Sequence, residues 1–140
     1  MVNGNSSDIE ELVNSDLQKE TVTIEKTEEK KIEKIKTTED IVREYFIDTP
    51  VMADVAFCES RFRQFDKNGQ ALRGVVNNLD VGVMQINEKY HAGTAIKLGI
   101  NIYTLEGNME YAKYLYETQG TRPWVHSSDC WNTVREIALK

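Results

Sequence analysis

The aromatic residues are confined to one side of the chain, and that division sets what can fold. None of the two Trp, six Tyr and four Phe occurs before Tyr45, and no arginine occurs before Arg43. Residues 1–40 instead carry 11 acidic and 6 basic side chains. The run from Glu25 to Asp40, EKTEEKKIEKIKTTED, is rich in Lys and Glu with a thin line of isoleucines. Such a segment buries too little apolar surface to offset its ordering entropy. It reads as a disordered, charged tail or stalk over 1–40, the alternative being that Ile32 and Ile35 dock as a marginal helix. Residues 41–140 then hold the core, enough for one modest domain.

Charge and composition exclude several functions. The net charge of −6 argues against a nucleic-acid partner, which selects a basic face. No apolar run approaches the roughly 18–20 residues that span a bilayer. Two His and two Cys do not make a closed zinc site of ordinary spacing, and neither a metal nor an organic cofactor is expected. After Met1 the polar VNGNSSD lacks the basic and apolar regions of a secretory signal. Either the protein stays inside the cell, or a signal or anchor lies outside this numbering.

From residue 41 the pattern is mainly helical. Thr38 is placed to cap a short helix carrying Ile41, Val42, Tyr45 and Phe46. Thr49-Pro50 pairs a capping hydroxyl with a proline at the first helical position. The helix that follows has Val51, Val55 and Cys58 on one side and ends near Ser60. Alternating apolar residues around Asn77-Asn78 (Leu72, Val75, Val81, Val83, Ile86) predict a small β-hairpin turning at the asparagines. Three more helices are expected: Asn87–Leu98 stopped by Gly99, Leu105–Gln119 stopped by Gly120, and one from about Ser127 onward. Leu105, Met109, Ala112, Leu115 and Tyr116 form the apolar stripe of the middle one. The fold class is α+β, mainly α.

The chemistry gathers where the second helix ends. Glu59 follows Phe57 and Cys58 at the end of an apolar helix, where burial penalises the carboxylate and raises its pKa, as a general acid requires. Asp80 lies 21 positions later, beside the expected turn and in more polar surroundings. Two carboxylates in contrasting environments are the equipment for breaking a glycosidic bond.

The words around them are more specific. Phe57-Cys58-Glu59-Ser60, followed by Asp80-Val81-Gly82-Val83-Met84-Gln85-Ile86-Asn87, resembles the lysozyme-like superfamily. The Glu-Ser pair and the Gly-Val-Met-Gln segment are similar to those of soluble lytic transglycosylases. The run from Asp80 to Asn87 is similar to that of the c-type lysozymes. Cys58-Glu59-Ser60 with Gln119-Gly120, Trp124 and Cys130 is similar to the resuscitation-promoting factors. The resemblance covers roughly 50–131. It implies a lysozyme-like fold with the hairpin beside an active-site cleft, and a Cys58–Cys130 disulfide, against two free thiols in a reducing cytosol. It implies Glu59 as general acid, Ser60 orienting it, and Gln85 contacting the sugar at the cleavage point. Asn108 and Tyr111 would lie on a cleft-lining helix. The role of Asp80 stays open. Facing Glu59, it would support hydrolysis; turned away, it would leave the substrate's acetamido group to form an anhydro product. The Tyr-Asn-Ala-Gly word of the transglycosylases is absent.

Other candidates have plainer readings. Trp124, after Pro123, is either a sugar-stacking platform or an edge of the core. Tyr111, Tyr114 and Tyr116 are read as partly core, Trp131 as core, and His91 and His126 as surface residues. Ser127-Ser128-Asp129 reads as a helix cap. Arg61, Arg63 and Arg73 either meet acidic peptide stems or form a solvated face. The resemblance implies a monomeric enzyme, secreted or at the cell surface or in the periplasm. Its substrate would be peptidoglycan glycan strands, cut at the β-1,4 bond between N-acetylmuramic acid and N-acetylglucosamine. The alternative is a glycan-binding module without catalysis.

Overall fold

The computed structural model describes residues 33–140, so most of the expected tail, including Ile32, lies outside the described residues. Ile35 is exposed. A compact unit runs from Lys36 to Lys140.

Helix α1 is Thr38–Tyr45, and its cap is Thr37 rather than Thr38. The Thr37 hydroxyl accepts the Asp40 N–H at 3.2 Å, while the Asp40 carboxylate accepts the Thr37 N–H at 3.0 Å. This reciprocal pair satisfies two of the donors that a helix start leaves open. The helix thus begins within the segment read as tail, and it buries Val42, with Phe46 just beyond its end.

Helix α2, Val51–Ser60, begins at Pro50, whose φ of −61° and ψ of −21° are already helical. The Thr49 hydroxyl does not cap it; the Thr49 carbonyl accepts the Met52 N–H instead. Its burial is not a single stripe, because Met52 through Ala56 are all buried. The helix is the centre of the packing, with α1 on one side and the C-terminal elements on another.

The hairpin departs from the expected register. Strands β1 (Asp80–Val81) and β2 (Ile86–Asn87) pair antiparallel, with Asp80 opposite Asn87 and Val81 opposite Ile86. The turn between them is 82–85, not Asn77-Asn78. The expected pairing around the asparagines survives as one bridge, Arg73 to Val81, and a Gly74 N–H to Asp80 C=O bond at 2.9 Å. Valines 75 and 76 are fully exposed, so nothing on that arm anchors a longer strand.

Helix α3 (Glu88–Lys97) is capped by the Asn87 side chain, and α4 (Leu105–Gln119) by the Thr104 hydroxyl on the Gly107 N–H. Gly99 and Gly120 both have positive φ where these helices stop, a conformation open to glycine at little cost. Met109, Tyr111, Ala112 and Leu115 of α4 join Val55, Met84, Ile86 and Trp124 in one core, with Leu105 and Tyr116 at its margin. A 3-10 turn, Arg122–Ser127, leads into α5, Ser128–Ala138. The protein is mainly helical with one two-stranded sheet. No described helix is long and apolar enough to cross a membrane.

No residue of α5 is fully buried. Two links fasten it to α2: the Cys58–Cys130 disulfide and an ion pair from Arg135 to the buried Asp54 at 3.6 Å. The bridge joins positions 72 apart, which corresponds to roughly 4 kcal/mol of loop-closure entropy removed from the unfolded chain. Replacing both cysteines by serine is therefore expected to lower unfolding stability by about 4 kcal/mol in urea titrations. An unchanged midpoint would mean that the ion pair and packing hold α5 without the disulfide.

Candidate functional site

The hairpin turn is buried, which is unusual for a connection, because its peptide groups then need partners other than water. Residues 81–84 are all buried. Four polar side chains, each nearly or wholly withdrawn from solvent, meet them. Gln64 Oε1 accepts the Val83 N–H at 2.8 Å and the Ser60 hydroxyl donates to the Val83 carbonyl at 2.7 Å. Asn108 Oδ1 accepts the Met84 N–H at 2.8 Å, and its Nδ2 donates to Val81 O at 2.9 Å and Ile102 O at 2.8 Å. Trp124 Nε1 donates to the Met84 carbonyl at 2.8 Å. Gly82, at φ +76°, passes so close to these groups that a Cβ would stand 2.5 Å from Asn108 Nδ2.

Beside this turn opens a cleft of about 410 Å³. Glu59, Asp80, Gln85 and Trp124 all line it. Glu59 is half-buried at the end of α2, and its Oε1 accepts a 2.5 Å hydrogen bond from the Ser127 hydroxyl. Desolvation raises its carboxyl pKa above the ordinary range and the nearby Asp80 charge adds to the rise, while the Ser127 bond and His126 act the other way. Asp80 is held differently: its Oδ1 accepts the Asn87 side-chain N–H at 2.8 Å, across the two-stranded sheet. Gln85, in the left-handed region at φ +50°, folds back so that its Nε2 donates to Gly82 O at 2.9 Å.

Three of the expected residues take other places. Asn108 is completely buried behind the turn, and its amide is spent on three backbone partners; its helix does line the cleft, but through Leu115 and Gln119. Tyr111 is buried as well, with its hydroxyl hydrogen-bonded to His91 Nδ1 at 3.1 Å, so it supports the wall without forming it. The Ser60 hydroxyl makes no hydrogen bond to the Glu59 carboxyl. It bonds Ala56 O and Val83 O and receives the Arg63 N–H, and so fixes the helix end from which Glu59 projects. Trp124 is 4% exposed, with its N–H committed to the turn, and it offers the cleft an edge of wall rather than a free ring face.

The structure also brings in residues that were read as bland. Ser127, expected as a helix cap, makes no capping bond and is the hydrogen-bond partner of Glu59. His91 lines the cleft, half-buried, and burial pushes its pKa down. His126 also lines the cleft. The spacing of Cys58 and Cys130 carried the signal for Ser127, since the bridge draws the start of α5 to the end of α2.

Chemically, the arrangement is a desolvated carboxyl that favours its acid form, with a second carboxylate on the same cleft in a polar setting. Among the described residues no group of three His, Cys, Asp or Glu side chains could hold a metal ion. Compared with protein-family models, curated proteins and solved structures, the chain matches none.

Replacing Asn108 by Ala is expected to act on stability, because it strands one N–H and two carbonyls in the core. A loss on the order of 2–4 kcal/mol in unfolding experiments is expected. An Asn108→Ala protein of normal stability would return the residue to the candidates for ligand contact.

Proposed function

We propose that the chain is a peptidoglycan-cleaving glycosidase of lysozyme-like fold, acting on the β-1,4 bond between N-acetylmuramic acid and N-acetylglucosamine. The observation that carries this reading is the pair Glu59 and Asp80 on one cleft, the first desolvated with a raised pKa and the second hydrogen-bonded by Asn87. Glu59 protonates the leaving glycosidic oxygen. The oxocarbenium-like charge that develops as the bond breaks is met by the Asp80 carboxylate. Gln85, on the cleft wall, is placed to contact the sugar at the cleavage point.

The resemblance of Cys58-Glu59-Ser60 and Asp80–Asn87 to lysozyme-like sequences supports the reading. So does the backbone. The described non-glycine residues with positive φ are Arg61, Phe62 and Gln85, two directly after Glu59-Ser60 and one at the turn. Backbone of this kind costs on the order of 1–3 kcal/mol per residue and tends to gather where a site must be held. Asp80 lies on the same cleft as Glu59, and its charge acts on the Glu59 carboxyl; this supports hydrolysis over anhydro-sugar formation. A disulfide suits an oxidising compartment, which supports the proposal of an enzyme outside the cytosol, secreted or at the cell surface or in the periplasm; we propose it as a monomer on glycan strands.

The test is digestion of purified peptidoglycan with mass spectrometry of the released muropeptides. Glu59→Gln keeps the shape but cannot give up a proton, and it is expected to lose at least about 10²-fold in rate. Reducing-end products that vanish in Glu59→Gln fit hydrolysis with Asp80 in a catalytic role. Anhydro products would mean a lytic transglycosylase. No product from the wild-type protein would sink the enzyme reading and leave a glycan-binding module.

The pH profile has a definite sign. The reactive form of Glu59 is the acid, so activity falls as pH rises through its pKa. Because burial raises that pKa, the alkaline limb of kcat/KM is expected above the ordinary glutamate range. Asp80→Asn removes a charge that contributes to the rise, and should move the limb to lower pH. A limb at the pKa of an exposed glutamate would show that Glu59 is solvated and not the acid.

A further inference from the structure

We propose that Ser127 is a positioning residue for Glu59: by donating its hydroxyl to Oε1, it reserves Oε2 as the oxygen that carries the catalytic proton into the cleft. The inference rests on the glycosidase reading above and assigns a device that the reading does not need.

The geometry supplies the argument. Ser127 Oγ lies 2.5 Å from Glu59 Oε1 and 3.1 Å from the Trp124 carbonyl, the weaker of its two acceptors. Among the described residues Glu59 Oε2 has no hydrogen-bond partner, and it is not buried. The carboxyl is therefore unsymmetrical, with one oxygen occupied by the protein and the other unpaired and accessible, on a residue that lines the cleft. A carboxylic acid whose Oε1 already accepts a bond places its own proton on Oε2. In the chemical step that proton moves to the glycosidic oxygen, the C–O bond breaks, and its electron pair goes to the leaving group. Glu59 becomes a carboxylate still held at Oε1, now by a charge-assisted bond. A serine serves both states without moving.

The hold on Ser127 is itself built. The 3-10 turn that carries it is fixed by the Trp124 N–H on Met84 O, by the Trp131 N–H on Trp124 O at 3.1 Å, and by Cys130 three residues on. The titratable groups around Glu59 are Asp80 from β1, His126 from the 3-10 turn, and His91 from α3 elsewhere on the cleft wall. On the helices packed against α2, Arg135 is paired with Asp54 and Arg43 with Glu39. None of these groups occupies Oε1.

The test compares the wild-type protein, Ser127→Ala and Ser127→Thr in peptidoglycan digestion across pH. In parallel, the Glu59 side-chain carbon is titrated by NMR in protein labelled with ¹³C. Ser127→Ala is expected to lose about tenfold in kcat with little change in KM, and its alkaline limb is expected to move up by about one pH unit. Ser127→Thr, which keeps the hydroxyl, should restore both. A Ser127→Ala protein whose limb and Glu59 titration stay at the wild-type pH overturns the proposal, whether or not it is slower, because a merely structural loss leaves the titration unmoved. If the wild-type protein cuts no glycan, the glycosidase reading fails separately. The titration then decides for Ser127: an upward move of Glu59 in Ser127→Ala supports its hold on Oε1, and no move overturns it.

Discussion

The structure depends on satisfying the backbone of one buried turn. A tight connection placed in a core presents N–H and C=O groups that cost on the order of 1–3 kcal/mol each when left unpaired. Here the N–H and C=O of Val83 and Met84 are met by Gln64, Ser60, Asn108 and Trp124 in turn. These four side chains come from the end of α2, the loop after it, α4 and the 3-10 turn, so a single network ties those four regions to one reference point. The close approach that Gly82 permits is what lets Asn108 reach both Val81 and Met84.

Two consequences follow for the site. Ser60 immediately follows Glu59, and Ser127 lies three residues after Trp124. Fixing Ser60 and Trp124 to the turn therefore fixes the two partners of the 2.5 Å hydrogen bond. The disulfide one residue before Glu59 and three after Ser127 closes the same arrangement from behind. Glu59 is thus held by neighbours that are themselves held, and the general-acid role proposed for it would require that, because a small misplacement of a proton donor costs more rate than a small change in its pKa.

Much of this was legible in the sequence. The caps and stops at Asn87, Gly99, Gly120 and Pro50 mark helix ends through local chemistry that needs no tertiary context, and these helices lie within a residue or two of their expected bounds. Glu59 and Asp80 share one cleft, and what singles them out in the sequence is less their expected environments than the words around them, Cys58-Glu59-Ser60 and Asp80 to Asn87. The hairpin register was not legible. Asn77-Asn78 is a sound turn signal, but the pairing is decided by which peptide groups Gln64 and Asn108 can reach, and they are 13 and 30 residues away from that pair. The same reason hid the role of Asn108. An asparagine on a helix reads identically whether it faces a ligand or the core, and only the buried turn shows which. Ser127 was read as a cap because Ser-Ser-Asp favours one locally, and the disulfide overrode that preference.

The balance at Glu59 explains why so much structure is spent on one carboxyl. Burial and the Asp80 charge both favour the acid form, and together they would leave a group that releases its proton reluctantly. Ser127 and His126 favour the anion and oppose that drift. Their opposition does not restore a solvated glutamate, since the net displacement is still upward. It yields a carboxyl that stays protonated into the range where an exposed glutamate is ionised, yet has a stabilised conjugate base once the proton has gone. Proton transfer is efficient when donor and product states are both supported by groups already in place. In the glycosidase reading proposed above, that support comes from a carboxylate anchored across a sheet and a serine anchored by a buried tryptophan, neither of which would have to move.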